Sequence, residues 1–365
     1  LQLNQGDWHK LVSRQKTGLS TAFLQSPLGI AACAYSIIIR LRNFLYSGDL
    51  LKAHRANAVV LSIGNITVGG TGKTPLVIWL CKFLQQKQIP CAILTRGYKT
   101  QGTRDEERGA IDEPAILAES CPQARVIVNP NRVEAAAEAV NKFGAKMLVM
   151  DDGFQHRRLA RDLDIVTIDA TCPFGYGKLL PAGLLREPVA SLKRVDAAVL
   201  TRCNQVSKSE LNQIEKELQL INTNMIIAKS IHNPVFVKSI IGEKIAIEQL
   251  RNRKIFAFCG IGNPDAFLST IKNTGASLVG SKIYNDHYRY TSGDINDINN
   301  HANHLEADLI LTTQKDWKAI PLKSVKKDIP LAYLAVEIKF IAGEDKLKQL
   351  IEGALAGKIL KIKEY

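Results

Sequence analysis

The densest piece of chemistry in the chain is Gly69-Gly70-Thr71-Gly72-Lys73-Thr74. Its glycines let successive backbone N–H groups turn toward one anion, its lysine brings a cation to a phosphate oxygen, and its last hydroxyl suits a divalent cation. The context fits that use. Residues 58–63 are an apolar, β-branched run that predicts a buried strand, and the pattern over 76–84 predicts a helix whose first N–H groups and dipole face the same anion. Pro75 falls in the first helical turn, where N–H groups lack intrahelical partners. The segment therefore reads as a P-loop, with Thr67, Val68, Gly69, Gly70, Thr71, Gly72, Lys73 and Thr74 on the phosphates of a nucleotide. The general pattern carries a further glycine where Thr67 stands, and Gly69 and Gly70 are expected to supply the flexibility instead.

Residues 146–150 predict a second strand, which ends in Asp151-Asp152-Gly153. Carboxylates at the C-terminal edge of a parallel sheet can hold Mg²⁺, together with Thr74, directly or through water; helix capping is the alternative. Residues 91–95 predict another buried strand, followed by Arg96-Gly97-Tyr98. Arg96 suits the charge developing on a transferred phosphoryl group, a substrate phosphate or a structural ion pair, and Tyr98 suits the wall of a sugar site. Asp112 precedes a helical run over 115–120 and fits either an N-cap or a base that takes a hydroxyl proton. Arg132 opens the next helix, facing a substrate phosphate, the nucleotide or solvent. Gln155 is placed on the substrate side. Arg186 and Glu187 follow a loop rich in Gly and Pro: Arg186 is a candidate phosphate clamp and Glu187 a candidate metal or water ligand. His301 and His304 have no evident third ligand and read as a solvated helix face. Lys315-Asp316 superficially resembles a guanine-reading motif but lies too far downstream to imply GTP.

Something must position these groups, and 365 residues suffice for two compact units. Strand and helix patterns alternate over 55–228, which predicts an α/β domain with a parallel sheet of the P-loop NTPase type. A β-rich linker over 229–253 and a second, smaller α/β domain over 254–365, acting as a lid, are expected to follow. Seven cysteines without a CxxC pair point to reduced thiols in a cytosolic setting. The net charge of +13 suits nucleic acid, an anionic membrane or a phosphorylated substrate, and the lack of any nucleic-acid motif disfavours the first. Residues 1–54 form an N-terminal extension. No charge interrupts it between Lys16 and Arg40, but its dense apolar part, 28–39, falls short of the about 20 residues of a spanning helix. A helix from Pro27 to about Tyr46, carrying Arg40 and Arg42, is expected to lie in a membrane interface, with core packing and true spanning as alternatives.

The motifs in this order resemble the tetraacyldisaccharide 4′-kinase family, the lipid A 4′-kinases of Gram-negative bacteria. The resemblance covers roughly residues 24–320. It rests on 64–75, Leu-Thr-Arg-Gly-Tyr at 94–98, Asp-Glu-Pro at 112–114, Asp-Asp-Gly-Phe-Gln-His at 151–156, 161–164 and 180–188, then Gly-Ile-Gly-Asn-Pro at 260–264, Asp-His-Tyr at 286–288 and Thr-Gln-Lys-Asp at 313–316. Thr67 is usual in that family; Thr95 and Ile111 depart from its commoner Ser and Gly. The resemblance implies transfer of the ATP γ-phosphate, with Mg²⁺, to the 4′-hydroxyl of a tetraacylated disaccharide 1-phosphate, giving lipid IVA. It implies a peripheral enzyme on the cytoplasmic face of the inner membrane, without nucleic acid or an obligate protein partner. It also pairs Asp112 with His287 as the base, either of which could take the proton, alongside Lys73 and Arg96.

Overall fold

The computed structural model describes residues 19–97, 112–321 and 328–363. Its strands, in chain order, are β1 (Val59–Gly64), β2 (Cys91–Thr95), β3 (Arg125–Val128), β4 (Met147–Asp151), β5 (Leu163–Asp169), β6 (Ala197–Thr201), β7 (Ile226–Ser239), β8 (Lys244–Ala246), β9 (Lys254–Cys259), β10 (Ser277–Ile283), β11 (Leu309–Thr313) and β12 (Leu331–Ala342). The chain divides into two units. One comprises residues 1–98, 117–231 and 340–365; the other comprises 99–116 and 232–339.

The first unit orders its strands β7-β6-β5-β1-β4-β2-β3, and each neighbouring pair among them is parallel. β1, β2, β4, β5 and β6 are buried along their whole length, as strands covered on both faces must be. Their continuous apolar runs follow from that burial. Leu61 pairs with Val149 on one side and Leu163 on the other, so β1 and β4 end level and deliver the P-loop and Asp151-Asp152 to one edge. Gly64 is obligatory at that edge, because a Cβ there would lie 2.5 Å from Phe154 Cβ.

The second unit orders its strands β10-β9-β11-β12-β7, with β8 antiparallel to β7. Its helices Pro264–Asn273 and Ser292–His304 begin on side-chain caps from Asn263 and Thr291, the latter a capping box with Asp294. The boundary drawn from the sequence put residues 254–365 together. In the structure the last segment, 340–365, packs in the first unit: Phe340 meets Trp79 at 4.8 Å between rings, and Trp79 Nε1 donates to Glu344.

The N-terminal helix is longer than expected. It spans Leu19–Ser47, with Pro27 inside it and not at its first turn. Residues 19–26 contain neither Gly nor a second Pro, so the helical run extends backward across the one interruption Pro27 imposes. Its apolar stretch is also longer: Pro27–Ser47 is long and apolar enough to cross a membrane by length and composition. Ile30, Ile37, Leu41 and Phe44 recur on one side of it and are 56–72% exposed.

Candidate functional site

The P-loop leaves β1 and enters the helix Lys73–Gln86 through Gly69 at φ 105° and Gly72 at φ 91°, both in the region closed to ordinary side chains. A lattice of buried hydroxyls and amides fixes its shape. Asn65 Nδ2 donates to Thr71 Oγ1 at 3.0 Å, Thr71 Oγ1 meets Thr167 Oγ1 at 2.7 Å, and Thr201 Oγ1 donates to the Thr71 carbonyl at 2.9 Å. Arg202, itself paired with Asp169, donates to the Gly70 carbonyl at 2.7 Å. These contacts draw carbonyls toward the protein interior. Val68 N–H donates to the Leu184 carbonyl and Arg186 N–H to Ile66, so the loop over 184–186 braces the P-loop from its other side.

The charged groups converge on Asp152. Its carboxylate lies 3.3 Å from Lys73 Nζ and takes two bonds from Arg186 Nη1, at 3.0 and 2.8 Å. Burial alone would raise the Asp152 carboxyl, but Lys73 and Arg186 outweigh it and hold it down to about 2. Asp152 also sits at φ 52°, a conformation that is uncommon for a residue other than glycine. Beside it Asp151 is buried, and its carbonyl accepts from Arg132 Nη2 at 3.5 Å. Arg132, buried and donating to the Asn129 carbonyl at 2.6 Å, is brought down to about 10 by burial, opposed by Asp151 and Asp152. Arg96 is exposed and close enough to add repulsion to Arg132. Gln155 Nε2 donates to the Asn65 carbonyl at 2.8 Å, tying the Asp-Asp-Gly-Phe-Gln-His loop to the P-loop.

The structure thus brings Lys73, Asp152 and Arg186 together, with Arg132 and Gln155 adjoining. It does not bring Glu187 to them. Glu187 is fully buried, with one oxygen accepting from Arg42 at 3.0 Å and Arg194 at 3.1 Å and the other from Asn43 at 2.8 Å. The residue expected to hold a metal thus has both carboxylate oxygens bonded to Arg42, Asn43 and Arg194, and ties the N-terminal helix to the loop over 184–194. Tyr35 Oη on the same helix donates to the Arg186 carbonyl at 2.9 Å, a site contact that nothing local in the sequence announces. Tyr98 and the Asp112 side chain lie outside the described residues.

The described donors suit Mg²⁺. Thr74 lies in the first turn of the P-loop helix and Asp152 beside Lys73, a hydroxyl and a carboxylate that leave the remaining positions to phosphate oxygens and water. The described residues contain no cluster of three or more His, Cys, Asp and Glu that could hold a metal by themselves.

In the second unit, Lys315 organises a separate cluster. Its Nζ lies 3.2 Å from Asp286 Oδ1, 3.1 Å from His287 Nε2 and 3.6 Å from Glu113 Oε1. An ammonium has no lone pair to offer, so this contact makes Nε2 the acceptor. Burial works against the Lys315 charge, but Asp286 and Glu113 outweigh it and raise the group above its ordinary value. His287 is held at φ 60°, with its N–H on the Gly260 carbonyl at 3.1 Å. The neighbouring Asp316 is structural: it accepts from Gly260 N–H, Tyr290 Oη and Thr313 Oγ1. Sequence reasoning met Lys315 within the Thr-Gln-Lys-Asp stretch and beside a guanine-reading pattern, and gave it no role at His287.

A P-loop between strand and helix at one edge of a parallel sheet, with its lysine on an acidic strand end, defines a nucleotide-binding α/β protein. Its relatives are more specific. The profile of the tetraacyldisaccharide-1-P 4′-kinase family matches residues 24–356. Among curated proteins, the tetraacyldisaccharide 4′-kinase of Halothermothrix orenii is 36% identical over 351 residues, covering 89% of this chain and 91% of that protein. The one from an Anaeromyxobacter species is 37% identical over 348 residues, covering 92% and 93%. Among solved structures, the apo form of LpxK from Aquifex aeolicus in complex with ATP superposes with a TM-score of 0.67 at 30% identity, covering 91% of this chain and 99% of that one. The chain belongs to the tetraacyldisaccharide-1-P 4′-kinase family.

Proposed function

We infer that this protein transfers the γ-phosphate of ATP to the 4′-hydroxyl of a tetraacyldisaccharide 1-phosphate, forming lipid IVA. Family membership supports the substrate, and the observation that carries the chemistry is Lys73 Nζ at 3.3 Å from Asp152 at the mouth of the P-loop. Thr67 to Thr74 cradle the phosphates. Thr74, Asp151 and Asp152 hold Mg²⁺, which screens phosphate charge when bound. Lys73 and Arg96 stabilise the charge developing on the transferred group. Arg186 and Arg132 meet phosphate oxygens, and Tyr98 and Gln155 line the sugar side. The second unit serves as a lid. Asp112 and His287 act together as the base for the hydroxyl proton, either one taking it with the other as relay, because a sugar hydroxyl is a poor nucleophile at neutral pH.

In this reading the enzyme works peripherally on the cytoplasmic face of the inner membrane, and the exposed apolar side of the N-terminal helix supports the membrane contact. Tyr35, Arg42, Asn43 and Ser47 all bond to the first unit, through Arg186, Glu187, Ser191 and Arg157. Bonds at both ends of the stretch 35–47 favour a helix lying along the body with its exposed apolar side toward lipid. No nucleic acid and no protein partner is needed for this reading. The test is an assay with γ-labelled ATP and the disaccharide 1-phosphate. Label at the 4′ position, lost on chelation and restored by Mg²⁺, is the expected result; ATP hydrolysis without labelled lipid would refute it.

A further inference from the structure

A cavity of about 250 Å³ opens in the first unit where the N-terminal helix meets residues 188–194. Its lining includes Arg40, Arg157, Lys193 and Arg194, with Asn43 and Ser191, and contains no carboxylate. Glu187 lies behind it, fully buried, and matches Arg42 and Arg194. Arg40, Arg157 and Lys193 have no carboxylate within ion-pair distance among the described residues, so the cavity keeps a positive excess. Arg157 is held in place without one: it donates to the Asn43 carbonyl at 3.0 Å and lies over the Tyr46 ring at 5.2 Å. Burial, with repulsion from Arg194 and Arg161, pulls the Arg157 guanidinium below its ordinary value, and the more distant Glu187 and Asp164 offset this only in part.

Position selects the anion. Arg40, Asn43 and Ser47 recur at helical spacing on one stripe of the N-terminal helix, and the exposed Ile37, Leu41 and Phe44 form the stripe next to it. A molecule with its phosphate among the cations therefore has an apolar track for its chains. We propose that this cavity binds the phosphate of an anionic membrane phospholipid, separately from the nucleotide and disaccharide sites. The proposal rests on the peripheral placement inferred above and adds a built headgroup site to it.

The test uses the full chain with Arg40→Gln and Lys193→Gln combined. Among the described residues neither side chain is tied into the core, and Arg40 bonds Ser36 on its own helix. Binding to phosphatidylcholine vesicles containing phosphatidylglycerol is expected to weaken about tenfold, with binding to pure phosphatidylcholine unchanged. The control pair Lys208→Gln and Lys216→Gln removes equal charge from the exposed face of the helix Lys208–Ile221 and should change binding by less than about twofold. Equal losses in both pairs would overturn the cavity assignment. So would a raised KM for the disaccharide in neutral detergent micelles with vesicle binding intact, since the cavity would then hold the substrate's own phosphate. Wild-type protein that binds neither vesicle would refute the membrane placement itself, a different failure.

Discussion

The surroundings of Lys73 and of His287 carry opposite charge balances. Around Asp152 gather Lys73 and Arg186, with Arg132 close by, so cations outnumber the carboxylate they share. Around Lys315 gather Asp286 and Glu113, so here a single cation is shared by two acids. The first arrangement lowers the energy of added negative charge and suits phosphate. The second, with two carboxylates to one ammonium, lowers the energy of added positive charge, which suits the uptake of a proton. Under the proposed function, the first region would stabilise what the reaction makes negative and the second would take up the proton it releases.

If that contrast is right, the largest loss comes from the phosphate side. Lys73→Ala should lower kcat by about a thousandfold or more with the fold intact by circular dichroism, because charge neutralisation dominates phosphoryl transfer. Retention of a tenth of the activity would break the assignment. On the proton side, Asp112→Ala and His287→Ala should each cost about 10²–10⁴ in kcat with little change in ATP affinity. If they act as a unit, the double variant should be scarcely worse than the weaker single, and multiplicative losses would separate them.

Lys315 sharpens the comparison further. Lys315→Met should lower kcat about tenfold to a hundredfold while leaving the KM for ATP unchanged, since it orients His287 and touches no nucleotide in the arrangement described. Nitrogen chemical shifts of the His287 ring give the readout a packing role would not move. The wild type should show the proton on Nδ1, with Nε2 accepting from Lys315, and the variant a mixture of tautomers.

Legibility in the sequence follows the same divide. The P-loop and the Asp-Asp-Gly-Phe-Gln-His loop are contiguous stretches at strand ends, so spacing alone exposes them, and register places them at one edge. Glu187 reads as a ligand because a carboxylate after a Gly/Pro loop looks available. Only the fold brings Arg42, 145 residues away, onto it. Lys315 meets Glu113 across some two hundred positions and Asp286 across 29, a convergence that no local pattern encodes. The backward extension of the N-terminal helix past Pro27 was hidden for another reason, since a first-turn proline and an internal one look alike until the preceding residues are seen to be helical.

The smallest expected effect concerns His156, which ends the acidic loop and sits among the cations of the phosphate side. Burial, then Arg132, Arg158, Arg161 and Arg96, push its imidazole down to about 4 from an ordinary 6.5. Its Nε2 is buried with no hydrogen-bond partner among the described residues, so the folded state offers a proton there no compensation. Well above its unfolded pKa, from about pH 7.5 upward, the ring is neutral whether folded or not and contributes no pH dependence. As the pH falls toward about 4, the unfolded chain binds a proton that the folded chain refuses, so stability drops across that window. With allowance for partial exposure the loss is about 1 kcal/mol between pH 7 and pH 4.5. His156→Gln keeps a polar side chain of similar size that cannot take the proton. Urea unfolding at the two pH values should therefore show the variant losing about 1 kcal/mol less than the wild type. Asp152, held down to about 2, leaves this window untouched, because its contribution disappears only below about pH 4. Identical acid losses in variant and wild type would show that the cations around His156 do not exclude its proton, and the charge contrast between the two regions would lose its buried member.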